Sequence, residues 1–197
     1  GKAFLDKPYK SIGFQLGGIY YDQNSLFGKR VYTGDQKMLY ANLLYQTIIS
    51  NTNNKITFGA SFQGEQTNEK INETSYERNE YVPGIFGEYT FSKNEKFDIV
   101  FGLRADHHNN FGLFFTPRLH TRYALNQSMV LRLSAGRGQR TANIFAENIG
   151  AFASSRTFVV ASGINTNPYG LNAEVAWNFG LNFTYDVNDK IQWGFDA

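Results

Sequence analysis

The segment Glu174-Val175-Ala176-Trp177-Asn178-Phe179-Gly180-Leu181-Asn182-Phe183-Thr184-Tyr185-Asp186 decides the fold class. Val175, Trp177, Phe179, Leu181, Phe183 and Tyr185 occupy every second position, and small or polar residues fill the others. A period of two belongs to a β-strand, whose successive side chains point to opposite faces. Working outward, the pattern recurs. Ile56, Phe58, Ala60 and Phe62 alternate with Thr57, Gly59, Ser61 and Gln63. Phe97, Ile99, Phe101 and Leu103 oppose Asp98, Val100, Gly102 and Arg104, and Met129, Leu131, Leu133 and Ala135 oppose Val130, Arg132, Ser134 and Gly136.

Extending the pattern along the chain predicts about nine strands, near 11–23, 36–50, 54–64, 79–92, 95–106, 115–125, 128–136, 173–186 and 190–197. Short polar turns sit at 51–54, 92–95, 125–128 and 187–190, with hairpin compositions. Between them fall longer links at 24–35, 65–78, 107–114 and 137–172. Short turns at one rim and long loops at the other describe an outer-membrane barrel. The only helix signal is a short turn at 141–148, with Thr141 or Asn143 as cap.

Composition narrows the function classes. Charged residues make up 18%, below the usual quarter, while 16% are aromatic. There is no Cys, which excludes disulfides, thiolate metal sites and thiol nucleophiles. A net charge of +2 gives no nucleic-acid footprint. No run approaches the roughly 18 apolar residues of a membrane-spanning helix, but alternating strands escape that measure. The start, Gly1-Lys2-Ala3-Phe4, is expected to be an internal cut of a longer chain.

Which face meets what separates two architectures. In a soluble sandwich the apolar rows pack against each other; in a membrane barrel they meet lipid. The polar rows carry Glu88, Asp98, Arg104, Arg118, Arg122 and Arg132, and aromatics gather near strand ends at Tyr20, Tyr21, Tyr89, Phe91, Tyr123 and Tyr185. Such aromatic girdles favour the barrel. The odd strand count, with the last strand stopping in mid-pattern, points to a segment of a larger barrel, because a free edge is not tolerated in lipid.

Leu131-Arg132-Leu133-Ser134-Ala135-Gly136-Arg137-Gly138-Gln139-Arg140-Thr141-Ala142-Asn143 resembles the rising strand and following loop of TonB-dependent outer-membrane receptors of the Bacteroidetes type. Asn143-Ile144-Phe145-Ala146-Glu147-Asn148 and Ser154-Ser155-Arg156 continue that variant. Asn167-Pro168-Tyr169-Gly170-Leu171-Asn172-Ala173-Glu174 resembles the family's Asn-Pro…Leu-x-Pro-Glu motif, with Ala173 where Pro is usual. Segments 81–89, 102–108 and 115–119 also look like this group, so the resemblance covers most of residues 36–185. It implies a partial all-β antiparallel barrel over residues 1–197, part of a barrel of about 22 strands, with the plug domain and remaining strands absent. It further implies a cell outer-membrane receptor that imports a scarce nutrient, such as an iron chelate or cobalamin, with TonB-supplied energy. The implied partners are that ligand, the TonB complex through the plug, outer-membrane lipid and, left open, a surface lipoprotein. No nucleic-acid partner, cofactor or metal is expected.

The segment 137–172 is the best candidate site, because connections of this length are uncommon unless they bind or gate something. Its candidate ligand-binding residues are Arg137, Arg140, Asn143, Glu147, Arg156 and Tyr169. Arg140 and Arg156 could grip an anion; alternatively they pair with Glu147 or Glu174 and hold the loop to the wall. Phe27, Tyr32, Tyr76 and Phe111 are further outer aromatics. Asp106-His107-His108 contains metal-ligand types, but adjacent strand residues point to opposite faces. Gly136-Arg137-Gly138 lacks the Lys-Ser/Thr of a phosphate loop. Ser134, Ser154, Ser155 and Ser162 with His107, His108 and His120 show no nucleophile-elbow pattern, so no catalytic residue is assigned. The rival readings are a passive porin or structural barrel, a soluble β-sandwich binding module and an outer-membrane hydrolase.

Overall fold

A computed structural model describes residues 1–7, 9–154, 160, 167–188 and 190–197. These form one open antiparallel sheet of ten strands in sequential order. The strands are β1 (Lys2–Phe4), β2 (Ser11–Phe27), β3 (Arg30–Ile48), β4 (Asn54–Ile71), β5 (Thr74–Lys93), β6 (Phe97–His108), β7 (Gly112–Ala124), β8 (Met129–Arg140), β9 (Glu174–Asn188) and β10 (Ile191–Asp196). All nine expected strands are present, and β1 adds a tenth beside β2. One sheet, rather than two packed sheets, leaves the sandwich reading without a partner layer among the described residues.

Loop lengths differ from expectation. The expected links at 24–35 and 65–78 are two-residue hairpins, at 28–29 and 72–73, and the strands run up to them. Gly28 (φ 64°) and Asn72 (φ 52°) take the left-handed conformation these tight turns need. Asn72 is tied further, because its Oδ1 accepts from Val31 N–H at 3.0 Å. The expected link at 107–114 shrinks to residues 109–111. The difference arises because the outer halves of β2–β5 are polar on both faces: Asp22, Asn24, Asp35 and Asn68 stand on one side, and Gln23, Gln36, Glu65 and Glu69 on the other. An apolar-alternation reading ends where the apolar residues end. Ladder pairing continues, from Asn24↔Thr33 through Glu69↔Tyr76. Among the long links only that between β8 and β9 persists.

β5, with 20 residues, is about 65 Å long at roughly 3.3 Å per residue, twice the roughly 30 Å of a bilayer's hydrocarbon. One face of the sheet carries an uncovered apolar band: Ile12, Phe14 and Leu16 on β2; Phe58 on β4; Ile85 on β5; Phe101 and Leu103 on β6; Phe179 on β9, 74% exposed. On β4 this band ends at Gly64, and Gln66, Asn68 and Lys70 follow on the same face. The opposite face is polar and crowded. A Cβ on Gly59 would run into Leu43 O and the Phe86 ring. Gly59→Val is therefore expected to lower the folded yield of the parent protein, read as loss of the heat-resistant band, while Gly138→Ala, which meets open space, leaves it unchanged.

Candidate functional site

The described residues of the β8–β9 connection leave the sheet at Arg140 and lie over the polar face of β2–β5, several strands away. They act as a roof. Asn143 caps the single turn α1 (Ile144–Glu147) by accepting from Ala146 N–H at 3.3 Å, and Glu147 accepts from Asn143 N–H at 3.1 Å. The short helix expected within 141–148 is there as one turn, and of the two expected caps it is Asn143, not Thr141, that serves. A 3-10 turn follows over Ile149–Ala153. Between them these turns aim Phe145 and Phe152 at the sheet, where both are fully buried.

The buried core of the molecule lies under this roof, at the outer ends of β3 and β4: Tyr32, Ile71, Phe145 and Phe152. Phe145 packs on Tyr76 (ring centroids 4.8 Å) and edge-on to Tyr169 (5.6 Å). Phe152 packs on Tyr32 (5.6 Å) and Phe27 (5.7 Å). Three of the outer aromatics singled out in the sequence, Phe27, Tyr32 and Tyr76, thus hold the roof. The fourth, Phe111, stands apart against His108 at 4.9 Å.

Polar side chains pin the roof. Arg30 Nη1 donates to Phe152 O at 3.0 Å, and Arg78 Nη1 donates to Ala142 O at 2.9 Å. Arg78 is buried between Glu80 (3.4 Å) and Glu65 (3.6 Å), with its guanidinium 5.7 Å from the Tyr169 ring centroid. Glu69 receives two hydroxyls, one from the wall (Tyr32, 2.8 Å) and one from the roof (Tyr169, 3.3 Å). Tyr169 is held at φ 57°, a strained conformation for a bulky residue that these contacts offset. At the stem, Arg140 bridges Glu174 (2.6 Å) and Glu147 (3.2 Å), joining both ends of the connection.

Burial pushes the Glu69 carboxyl above its ordinary value, against the two tyrosine hydroxyls and Arg78, which pull it down. The folded form therefore holds the proton to higher pH than the free chain. This contribution to stability is complete below the ordinary carboxylate value of 4.5 and fades as pH rises through the raised value. Hydrogen exchange of amides 144–153, corrected for intrinsic rate, is expected to be slower at pH 4.5 than at pH 7, and Glu69→Gln should flatten that dependence.

Below the roof the polar face carries paired charges. Arg104 meets Asp106 at 2.6 Å and Ser61 at 2.8 Å, Arg118 meets Glu88, and Arg122 meets Asp98 at 3.2 Å. His108 lies on this face, 3.6 Å from Glu80, and His107 on the other. Among the described residues no group of three His, Asp or Glu is placed to hold a metal. Ser134 and His120 face each other across β7 and β8 without a hydrogen bond between them.

The structure therefore draws Arg140, Asn143, Glu147 and Tyr169 together as parts of one roof. Arg137 stands away from them, on β8 against the β7 backbone, and Arg156 lies outside the described residues. Sequence reading missed Arg30, Glu69 and Arg78. They sit in segments taken as loops, and only the alternation of Glu65, Thr67, Glu69 and Ile71 hinted that these charges point one way.

A model of the family described as "TonB dependent receptor-like, beta-barrel" matches residues 5–197. The chain belongs to this family. Solved members of similar fold include the siderophore receptor PirA from Pseudomonas aeruginosa, at 16% identity and TM-score 0.59, covering 91% of this chain and 37% of that one. The ferric enterobactin receptor PfeA from Pseudomonas aeruginosa has 15% identity and TM-score 0.63, over 94% and 34%. The copper transporter OprC has 14% identity and TM-score 0.68, over 97% and 35%. The chain spans about a third of the length of these proteins. A search of curated protein sequences finds no match. At these identities the likeness establishes the receptor-barrel fold, of which the ten strands are an unclosed part.

Proposed function

We propose that the parent protein is an outer-membrane receptor that captures a scarce nutrient at the cell surface and imports it with energy supplied through TonB. One observation carries the reading: a single run of ten sequential strands with an uncovered apolar band on one face and a polar face roofed at one end. The uncovered band suits lipid, since apolar side chains left in water lose the stabilisation burial gives. The polar extensions of β2–β5, with the roof behind them, suit the cell exterior.

In this reading the segment 137–172 is the ligand-responsive part. Arg137, Arg140, Asn143, Glu147, Arg156 and Tyr169 are where an effect of ligand is sought, and Arg140, Asn143, Glu147 and Tyr169 act through the shape of the roof. Iron chelates are favoured as ligands by the siderophore receptors of similar fold; copper is an alternative from the copper transporter. The plug, the remaining strands and the TonB contact are supplied by other parts of the parent. The test is uptake of radiolabelled ferric catecholate, copper and cobalamin by cells carrying the parent, with and without TonB. Accumulation of one of them only with TonB is expected. Equal passage without TonB would make the protein a passive pore.

A further inference from the structure

Between β7 and β8 the sheet parts. Their ladder runs from Ala124↔Val130 up to Arg118↔Gly136 and stops, although β7 continues down to Gly112 and β8 on to Arg140. Each strand keeps its other neighbour, β6 for β7 and β9 for β8. The parted edges are managed by sequence. The next hydrogen-bonding pair would be Pro117 with Arg137, and proline has no N–H to offer. Two positions further along, side chains replace the missing strand. Phe115 N–H donates to Gln139 Oε1 at 3.3 Å, and Arg137 Nη1 donates to Phe115 O and Gln139 Oε1.

Arg137 is bound here by neutral oxygens alone. Arg78, Arg104, Arg118, Arg122 and Arg140 each have a carboxylate within 4 Å, whereas Arg137 on the apolar face has none among the described residues, and Arg132 on the polar face is bound by Asn182 and Thr184. It follows Met129, Leu131, Leu133 and Ala135 on the apolar face, at the top of that band on β8. Exposed apolar walls flank it: Leu113 and Phe115 on β7, and the stacked rings of Trp177 and Phe179 on β9. Behind it, on the polar side, is a cavity of about 420 Å³ to which Thr116, Pro117, Arg118 and Arg137 contribute.

We propose that the β7–β8 cleft is a binding site for an anionic lipid, whose phosphate meets Arg137 and whose acyl chains lie along Leu113, Phe115, Trp177 and Phe179. An uncompensated cation between two apolar walls complements a molecule with an anionic head and apolar tails. Arginine suits phosphate because its planar fork donates two parallel hydrogen bonds. This inference rests on the membrane reading of the apolar face.

The test uses the full-length parent with Val175→Cys, exposed on the same face beside the cleft, labelled by a fluorophore, in vesicles doped with brominated phosphatidylglycerol or brominated phosphatidylcholine. Insertion into either vesicle tests the membrane reading, whereas the difference in quenching tests the cleft. Binding of the anionic lipid is expected to be favoured about fivefold, the ratio that one basic side chain near an anionic surface confers. Arg137→Gln should remove the preference and Arg137→Lys should retain part of it. Equal quenching by the two lipids, a preference unchanged in Arg137→Gln, or loss of the preference on adding inorganic phosphate at millimolar concentration would each overturn the assignment, the last by giving the site to a free anion.

Discussion

Phe145→Ala releases the roof and leaves the sheet standing. Phe145 is fully buried, and its ring touches Tyr76 on the wall, Tyr169 from the far end of the roof, and Phe152 beside it. Truncating a buried phenylalanine costs about 3–5 kcal/mol. The helical turn cannot keep its own shape, since α1 is one turn long and an isolated turn is not stable in water, so the roof depends on Phe145, Phe152 and the polar pins. The sheet is independent of this cluster, held by ladders from β1 to β10. Hydrogen exchange of amides 144–153 in the parent is expected to accelerate by about a hundredfold to a few thousandfold, at tenfold per 1.4 kcal/mol, while amides in β6–β8 keep their protection. Unchanged exchange in the roof would show that the polar pins alone hold it. Ligand uptake that persists with the roof released would separate the roof from the proposed capture step.

Arg78→Met is expected to be as severe by a different route. Arg78 is 7% exposed and lies between Glu65 and Glu80, of which Glu80 is buried as well. Methionine keeps much of the stem's volume and removes the charge. Breaking a buried pair by deleting one partner costs about 3–5 kcal/mol, because the remaining charge is left uncompensated. Ala142 O loses its donor at the same time, and Tyr169 loses the cation over its ring. The lesion should therefore spread further than that of Phe145→Ala, raising exchange both in the roof and in the outer halves of β4 and β5. Adding Glu80→Gln to Arg78→Met is expected to recover part of the loss, since the double variant no longer buries that carboxylate unpaired. Arg78→Lys, which keeps charge without the fork, should fall between. If the single and double variants were equally unstable, the charge-pair account would be wrong.

The central strands were legible because each obeys one rule over enough residues. Ile56 to Gln63 and Glu174 to Asp186 alternate without interruption, and a strand with one apolar face has no other pattern. The helix cap was legible to within two candidates, Thr141 and Asn143, because capping is settled within a few residues of the chain. The outer halves of β2–β5 were not. Residues such as Gln23, Asn24, Thr33 and Asp35 satisfy no apolar period and look like a loop until each strand has a neighbour to bond. Arg30, Glu69 and Arg78 lie in these stretches, so the charged part of the wall was invisible and only its aromatics, Phe27, Tyr32 and Tyr76, stood out, whereas the roof side, residues 140–147 and Tyr169, stood out by motif.

Sequence alone determined that this chain makes antiparallel strands with one greasy and one polar face, since that follows from the period of two and from local turn chemistry. The family resemblance in segments 131–143 and 167–174 is likewise a property of the string of residues. Tertiary structure decided where the β8–β9 connection lands, which charges it covers, and where the β7–β8 ladder parts. These depend on residues as far apart as Glu69 and Tyr169, or Phe115 and Gln139. Their meeting is set by strand register and the path of the returning loop, and no local propensity encodes a contact between segments until the sheet has brought them together.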